Sequence, residues 1–206
     1  MIDWKNPGRK IILASGSPRR KQILSQMGFT FNTIIPPFIE EHKHLNSSDL
    51  NGSIQKLAAL KAEMVAVNYP EFLVLGADTI VVQGQQVLGK PADRQDAFRM
   101  LKSLSGKPHR VLTGVALRCY ENGFCCTGFS STDVFFREIS DEEIDDYLGT
   151  DEYIDKAGAY AIQGQALIFV DKITGCYYNV VGLPVSSTIS LFKEFNVRKE
   201  SADVRK

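Results

Sequence analysis

Apolar and polar positions along this chain predict strands and helices in alternation. Residues 10–14 form a short apolar run that reads as a buried strand, and 18–27 read as a helix with Gly28 as its C-cap. A strand is expected near 29–35, ended by Pro36-Pro37, and the polar stretch 40–52 reads as a loop. Ile54, Leu57, Ala58, Leu60, Met64 and Val67 recur at helical spacing, so a helix is expected over 53–67, stopped by Asn68-Tyr69-Pro70. Residues 72–82 read as a strand, which Gln83-Gly84-Gln85 turns back into a second strand through Leu88. A helix is expected over 93–104, and strands 109–120 and 124–137 flank the hairpin signal Glu121-Asn122-Gly123. Ser140 with Glu143 forms a capping box for a helix through about Leu148. Residues 166–173 read as a strand, Pro184 opens a last helix to about Phe195, and the charged residues 198–206 are expected to be a disordered tail. The alternation gives an α/β protein, and the hairpins give a mixed sheet in place of a purely parallel one.

Composition narrows the function classes. The chain has 206 residues, long enough for a sizeable core in one or two lobes. Its 24 basic and 24 acidic residues cancel, which weighs against a protein living on nucleic acid. No apolar run approaches the roughly 20 residues of a membrane span. The opening Met-Ile-Asp-Trp-Lys-Asn-Pro-Gly has no apolar signal core, so secretion is not expected. Cys119, Cys125, Cys126 and Cys176 match no common zinc spacing and are expected to be reduced, in a cytoplasmic protein with no membrane partner.

Several segments carry chemistry. In Ala14-Ser15-Gly16-Ser17-Pro18-Arg19-Arg20 a strand breaks into a serine-rich turn, and Ser17 is a good N-cap with Pro18 at the first helical position. A helix start of this kind presents backbone N–H groups and the positive end of the dipole to an anion, and paired arginines suit phosphate oxygens. Asp78 lies within an apolar run just after Gly76, and a buried carboxylate needs a partner or a function. Gly76 suggests a bulge or a close backbone approach to a ligand. Glu40 and Glu41 add carboxylates beside the polar loop, and a hard cation prefers one or two carboxylates together with substrate phosphates. Arg19, Arg20, Lys61 and Lys90 match in number the roughly four negative charges of a nucleoside triphosphate. The small residues of 155–164 leave room for a ligand against the backbone, and the Gln163 amide suits a base edge. No Walker loop, dinucleotide fingerprint or zinc-protease motif is present.

These motifs together resemble the Maf proteins, a family of nucleoside triphosphate pyrophosphatases, over about residues 10–195. The resemblance rests on 14–20, Glu40-Glu41, Lys61-Ala62, Gly-Ala-Asp-Thr-Ile-Val at 76–81 and Gly89-Lys90-Pro91. It continues through Leu-Ser-Gly-Lys at 104–107, Asp-Lys-Ala-Gly-Ala-Tyr at 155–160, Gln163-Gly164 and Val-Gly-Leu-Pro at 181–184. It implies a two-lobed fold like that of the inosine triphosphatases, with an elongated mixed sheet and a cleft between lobes. Residues 1–197 would form one catalytic domain. It further implies hydrolysis of a nucleoside triphosphate to the monophosphate and pyrophosphate, with Mg²⁺ or Mn²⁺ as cofactor.

By the same resemblance Asp78 is the general base; the residues themselves suggest a metal bridged by Asp78 together with Glu41. Ser15, Ser17, Arg19, Arg20, Lys61 and Lys90 bind the substrate. Arg19, Thr79 and Gln163 match the branch acting on dTTP and UTP, and the Cys-Ala-Gly-Ser type of segment of the 7-methyl-GTP branch is absent. Ala161 stands where glycine is usual, an extra methyl that would narrow the pocket. The resemblance also suggests a homodimer. The rival readings are a non-catalytic nucleotide-binding regulator of septum formation and cell division, and a nucleic-acid binder through Ser-Pro-Arg-Arg, against which the zero net charge weighs.

Overall fold

The computed structural model describes residues 7–203. Its elements follow the predicted alternation. In chain order they are β1 (Ile11–Ala14), α1 (Pro18–Gln26), β2 (Phe31–Ile34), α2 (Leu50–Ala66), β3 (Leu73–Gln83), β4 (Gln86–Leu88) and α3 (Arg94–Leu104). They continue with β5 (Pro108–Cys119), β6 (Phe124–Phe136), α4 (Asp141–Leu148), β7 (Val170–Thr174), α5 (Tyr177–Val181) and α6 (Val185–Asp203). The seven strands form one mixed sheet in the order β2-β1-β3-β5-β6-β7, with β4 on β3. β1 runs parallel to both β2 and β3, while the β3–β4 and β6–β7 pairs are antiparallel.

Five elements differ from expectation, one of them α5 at Tyr177–Val181, which no periodicity signalled. α2 begins at Leu50, three residues earlier than the apolar spacing suggests, because the Asp49 side chain accepts the Gly52 N–H and caps a first turn whose Asn51-Gly52-Ser53 are polar or small. The polar loop before it contains a 3₁₀ turn at Glu41–His44. Residues 165–169 form a 3₁₀ turn and not the start of β7. α6 continues past Phe195 to Asp203, so 198–203 are helical where a disordered tail was expected, with Arg198 donating to Glu194 one turn back. Residues 204–206 lie outside the described residues.

The chain divides into two compact units. One comprises residues up to Asp78, 113–130 and those from Gly182; the other comprises 79–112 and 131–181. In the first, α2 lies on the sheet through Ala58, Ala62, Val65 and Ala66, packed with Ile12, Ala14, Val74 and Ala116. A Cβ on Gly76 would come within 2.3 Å of the Ala58 carbonyl oxygen, and one on Gly114 within 2.3 Å of the Ile54 carbonyl oxygen. The absence of side chains at both glycines lets the helix backbone sit directly on the strands. Gly76 thus serves a close approach of protein backbone, not the bulge or ligand contact suggested by the sequence.

The second unit has its own core, in which Leu101, Leu104, Val134, Ile144 and Leu148 pack with Phe136, Tyr160 and Phe169. Among the described residues no helix is long and apolar enough to cross a membrane. All four cysteines are unpaired, and Cys119 and Cys126 are buried as small apolar residues.

Candidate active site

Parallel pairing sets the geometry of the first unit. Ala14 at the end of β1 lies abreast of Gly76, so the chain leaves the sheet at Ser15 beside the Ala77-Asp78 step of β3. The carboxyl ends of parallel strands are where α/β sheets bind ligands. The turn is internally braced: the Ser17 N–H donates to Ser15 Oγ at 3.1 Å, and Ser17 Oγ accepts the Arg20 N–H at 3.5 Å as the N-cap of α1. The expected cap and the Pro18 start are both present.

Asp78 is 3 % exposed, in mid-strand among apolar neighbours. Lys61 on α2 reaches it because Ala58 and Ala62 bring the helix down onto Gly76. The Lys61 ammonium donates both to Asp78 Oδ1 and, at 2.6 Å, to Glu41 Oε1 from the 3₁₀ turn. Asp78 Oδ2 is buried and has no hydrogen-bond partner among the described residues. Burial pushes the Asp78 carboxyl above the usual carboxylate range, and Glu41 acts in the same sense, while Lys61 and Arg20 pull it back.

Arg20 is bound into the protein, its Nε donating to the Gly182 carbonyl at 2.8 Å and its Nη1 to the Ala77 carbonyl at 2.9 Å and to Ser15 Oγ at 3.3 Å. It braces the serine turn against β3 and places a positive charge beside Asp78. Its carbonyl partners carried no sequence signal, being 57 and 162 residues away. Arg19 is half-buried at the same helix start. Of the acidic pair, only Glu41 joins Lys61; Glu40 is exposed and pairs with Lys43 at 2.7 Å. The structure therefore brings together Ser15, Ser17, Arg20, Glu41, Lys61 and Asp78.

The other expected residues belong to the second unit. Thr79 follows Asp78 on β3 and is half-buried, and Gln163 is exposed. The Lys90 side chain is 59 % exposed, with its ammonium 3.9 Å from the Asp155 carboxylate. Ala161 is 9 % exposed, so its extra methyl is covered by protein. Sequence reasoning missed His109, a buried residue of β5 whose signal is a lone histidine entering an apolar run.

Residues 10–195 match the family described as Maf-like protein. The chain belongs to the Maf family. Similar relatives include proteins named dTTP/UTP pyrophosphatase from Bacillus thuringiensis subsp. konkukian and from Bacillus anthracis. Each is 47 % identical over 189 residues, covering 92 % of this chain and 97 % of the relative. A similarly named protein from Bacillus cereus has the same identity and coverage. Among solved structures, the nucleoside-triphosphatase / dITP/XTP pyrophosphatase of Mycobacterium abscessus aligns at 14 % identity. The alignment covers 63 % of this chain and 74 % of that one, with a TM-score of 0.38, too low to bear on the assignment.

Proposed function

We propose that this Maf protein is a dTTP/UTP pyrophosphatase, releasing the nucleoside monophosphate and pyrophosphate. The 47 % identity to relatives of that name over nearly their whole length supports the substrate. The reaction is carried by one observation: Asp78 is a buried carboxylate with one oxygen held by Lys61 and the other unpartnered among the described residues. Such an oxygen can take a proton from a water attacking the α-phosphorus, as general base. The new O–P bond forms as the α–β bridging bond breaks, and pyrophosphate leaves with the bonding pair. Burial suits the task, because a carboxyl raised above its ordinary range is a stronger base once ionised.

The capped start of α1 offers its dipole to the phosphate chain, and Arg20 fixes that turn beside Asp78. By family likeness Arg19 and Lys90 are assigned to the substrate's negative charge, and Thr79 and Gln163 to the choice of base.

A divalent cation is part of this reading. Among the described residues no group of three or more His, Cys, Asp or Glu could hold a metal by itself. The donor set, two carboxylates of Glu41 and Asp78 that meet at the Lys61 ammonium, suits a hard cation shared with phosphates. Glu41 and Asp78 would hold Mg²⁺ or Mn²⁺, which when bound would offset charge on the phosphate oxygens. A cytoplasmic setting belongs to the same proposal, supported by four unpaired cysteines.

The test is pyrophosphate release from UTP, dTTP and 7-methyl-GTP with Mn²⁺ supplied. UTP and dTTP should turn over well ahead of 7-methyl-GTP. Equal rates on all three would remove the substrate assignment, and binding without turnover would favour a nucleotide-sensing regulator.

A further inference from the structure

Within the second unit, residues 155–159 follow a costly backbone path. Asp155 and Ala159 have φ of 60° and 62°, unusual for residues bearing a side chain, and Gly158 lies between them at 69°. A Cβ at Gly158 would crowd the Val81 side chain at 3.0 Å. Backbone of this kind persists only where its surroundings over-determine it, and it gathers at functional sites. Here the turn is tied to the residue preceding Lys90, since the Gly158 N–H donates to the Gly89 carbonyl at 3.0 Å. The same segment supplies Asp155 beside Lys90 and, five residues after Gly158, the exposed Gln163.

What holds the turn in place is buried beneath it. Tyr160 follows Ala159 directly, and its hydroxyl lies 2.8 Å from Nε2 of His109, both residues being buried. The two rings meet edge to face, and each also packs edge to face on Phe136. Packing alone would be served by two apolar rings, without the desolvation of a hydroxyl and an imidazole. A hydrogen bond adds direction, fixing where the Tyr160 ring sits and hence where the strained turn ends.

We infer that His109 is a positioning residue for the reaction: through Tyr160 it anchors the Asp155–Ala159 turn and so sets the placement of Lys90 and Gln163. This rests on the pyrophosphatase reading, and it assigns to two core residues a share in substrate binding that their burial hides.

The experiment compares wild type with Tyr160→Phe, His109→Leu and His109→Gln. Three quantities are read: kcat and KM for UTP, the Kd of a UTP analogue with a methylene α–β bridge, and amide hydrogen exchange over 155–164. Tyr160→Phe keeps the ring and loses only the hydroxyl. It should raise KM and the analogue's Kd by about tenfold, leave kcat within about twofold and speed exchange in 155–164. His109→Leu should do the same. His109→Gln, whose amide can still meet the hydroxyl, should recover most of the loss. Faster exchange with unchanged KM and Kd would overturn the inference, as would unchanged exchange with altered binding. If His109→Leu does not fold, Tyr160→Phe decides the matter alone. Wild-type protein that binds the analogue but releases no pyrophosphate from UTP would defeat the hydrolase reading while leaving the Kd and exchange comparisons to judge this one. Failure of wild type to bind the analogue would overturn both.

Discussion

The Lys61 ammonium sits on the Asp78 carboxylate, and both groups are nearly withdrawn from water, with side chains 12 % and 5 % exposed. The pair joins α2 to β3 at the point where Gly76 lets helix and strand backbones touch. Removing Lys61 strips the buried Asp78 carboxylate of its hydrogen-bonded counter-ion. Lys61→Met should therefore destabilise the fold by about 3–5 kcal/mol in urea unfolding. Combining it with Asp78→Asn should recover a substantial part of that loss. A double variant as unstable as the sum of the singles would show that the pair is not coupled.

Asp78→Asn tests the base directly. The amide keeps the shape and loses the proton acceptor, so turnover of UTP should drop by about 10²- to 10⁴-fold. Far-UV circular dichroism should be unchanged. Wild-type turnover in this variant would dismiss Asp78 from the mechanism.

Acid should silence the enzyme through the same carboxyl. Burial raises the Asp78 pKa, and the base works only when ionised, so activity is present above that pKa and lost as pH falls through it. The acid limb of kcat/KM for UTP should lie above the ordinary aspartate value of about 3.9. A limb at or below that value would show that Lys61 and Arg20 outweigh burial.

At Gly76 a single methyl should be enough to spread the site. In Gly76→Ala the new Cβ would lie 2.3 Å from the Ala58 carbonyl oxygen and 2.8 Å from the Ala62 nitrogen. Both neighbours are backbone, so helix and strand must part. A loss of about 1–3 kcal/mol or more is expected. Turnover should suffer beyond what stability explains, since Lys61 moves with the helix. A stable, fully active Gly76→Ala protein would contradict the close packing described.

His109 gives stability a pH dependence of known sign. Burial lowers its pKa from 6.5 to about 4. Between those values the unfolded chain takes up a proton that the folded chain refuses. Stability is thus full above the unfolded pKa and is lost as pH falls toward the folded one, by about 3 kcal/mol across the window. In His109→Gln the unfolding free energy should fall less steeply with acid over this range. Identical slopes for the two proteins would remove His109 as the cause.

Much of this was legible locally. The Ser17 cap with Pro18 at the first helical position, the Ser140–Glu143 capping box and the hairpin at Glu121-Asn122-Gly123 appear as expected, because turn and cap chemistry operates within three or four residues. The early start of α2 was hidden, since Asp49 sits in a stretch whose polar composition also suits a loop. The end of α6 was hidden for a related reason: a charged helix with one solvated face resembles a tail in composition.

By itself, the sequence determined the α/β alternation and the mixed sheet and nominated the candidate site residues, because periodicity, caps and motif residues are written in short segments. Tertiary structure decided their partners. Lys61 meets Asp78 across 17 residues, Arg20 spends its guanidinium on a carbonyl 57 residues away, and His109 finds Tyr160 across 51. None of these pairings has a local signature, since each follows from how closely backbones pack and which polar groups that packing buries. Arg20, one of two neighbouring arginines, is thereby made a brace.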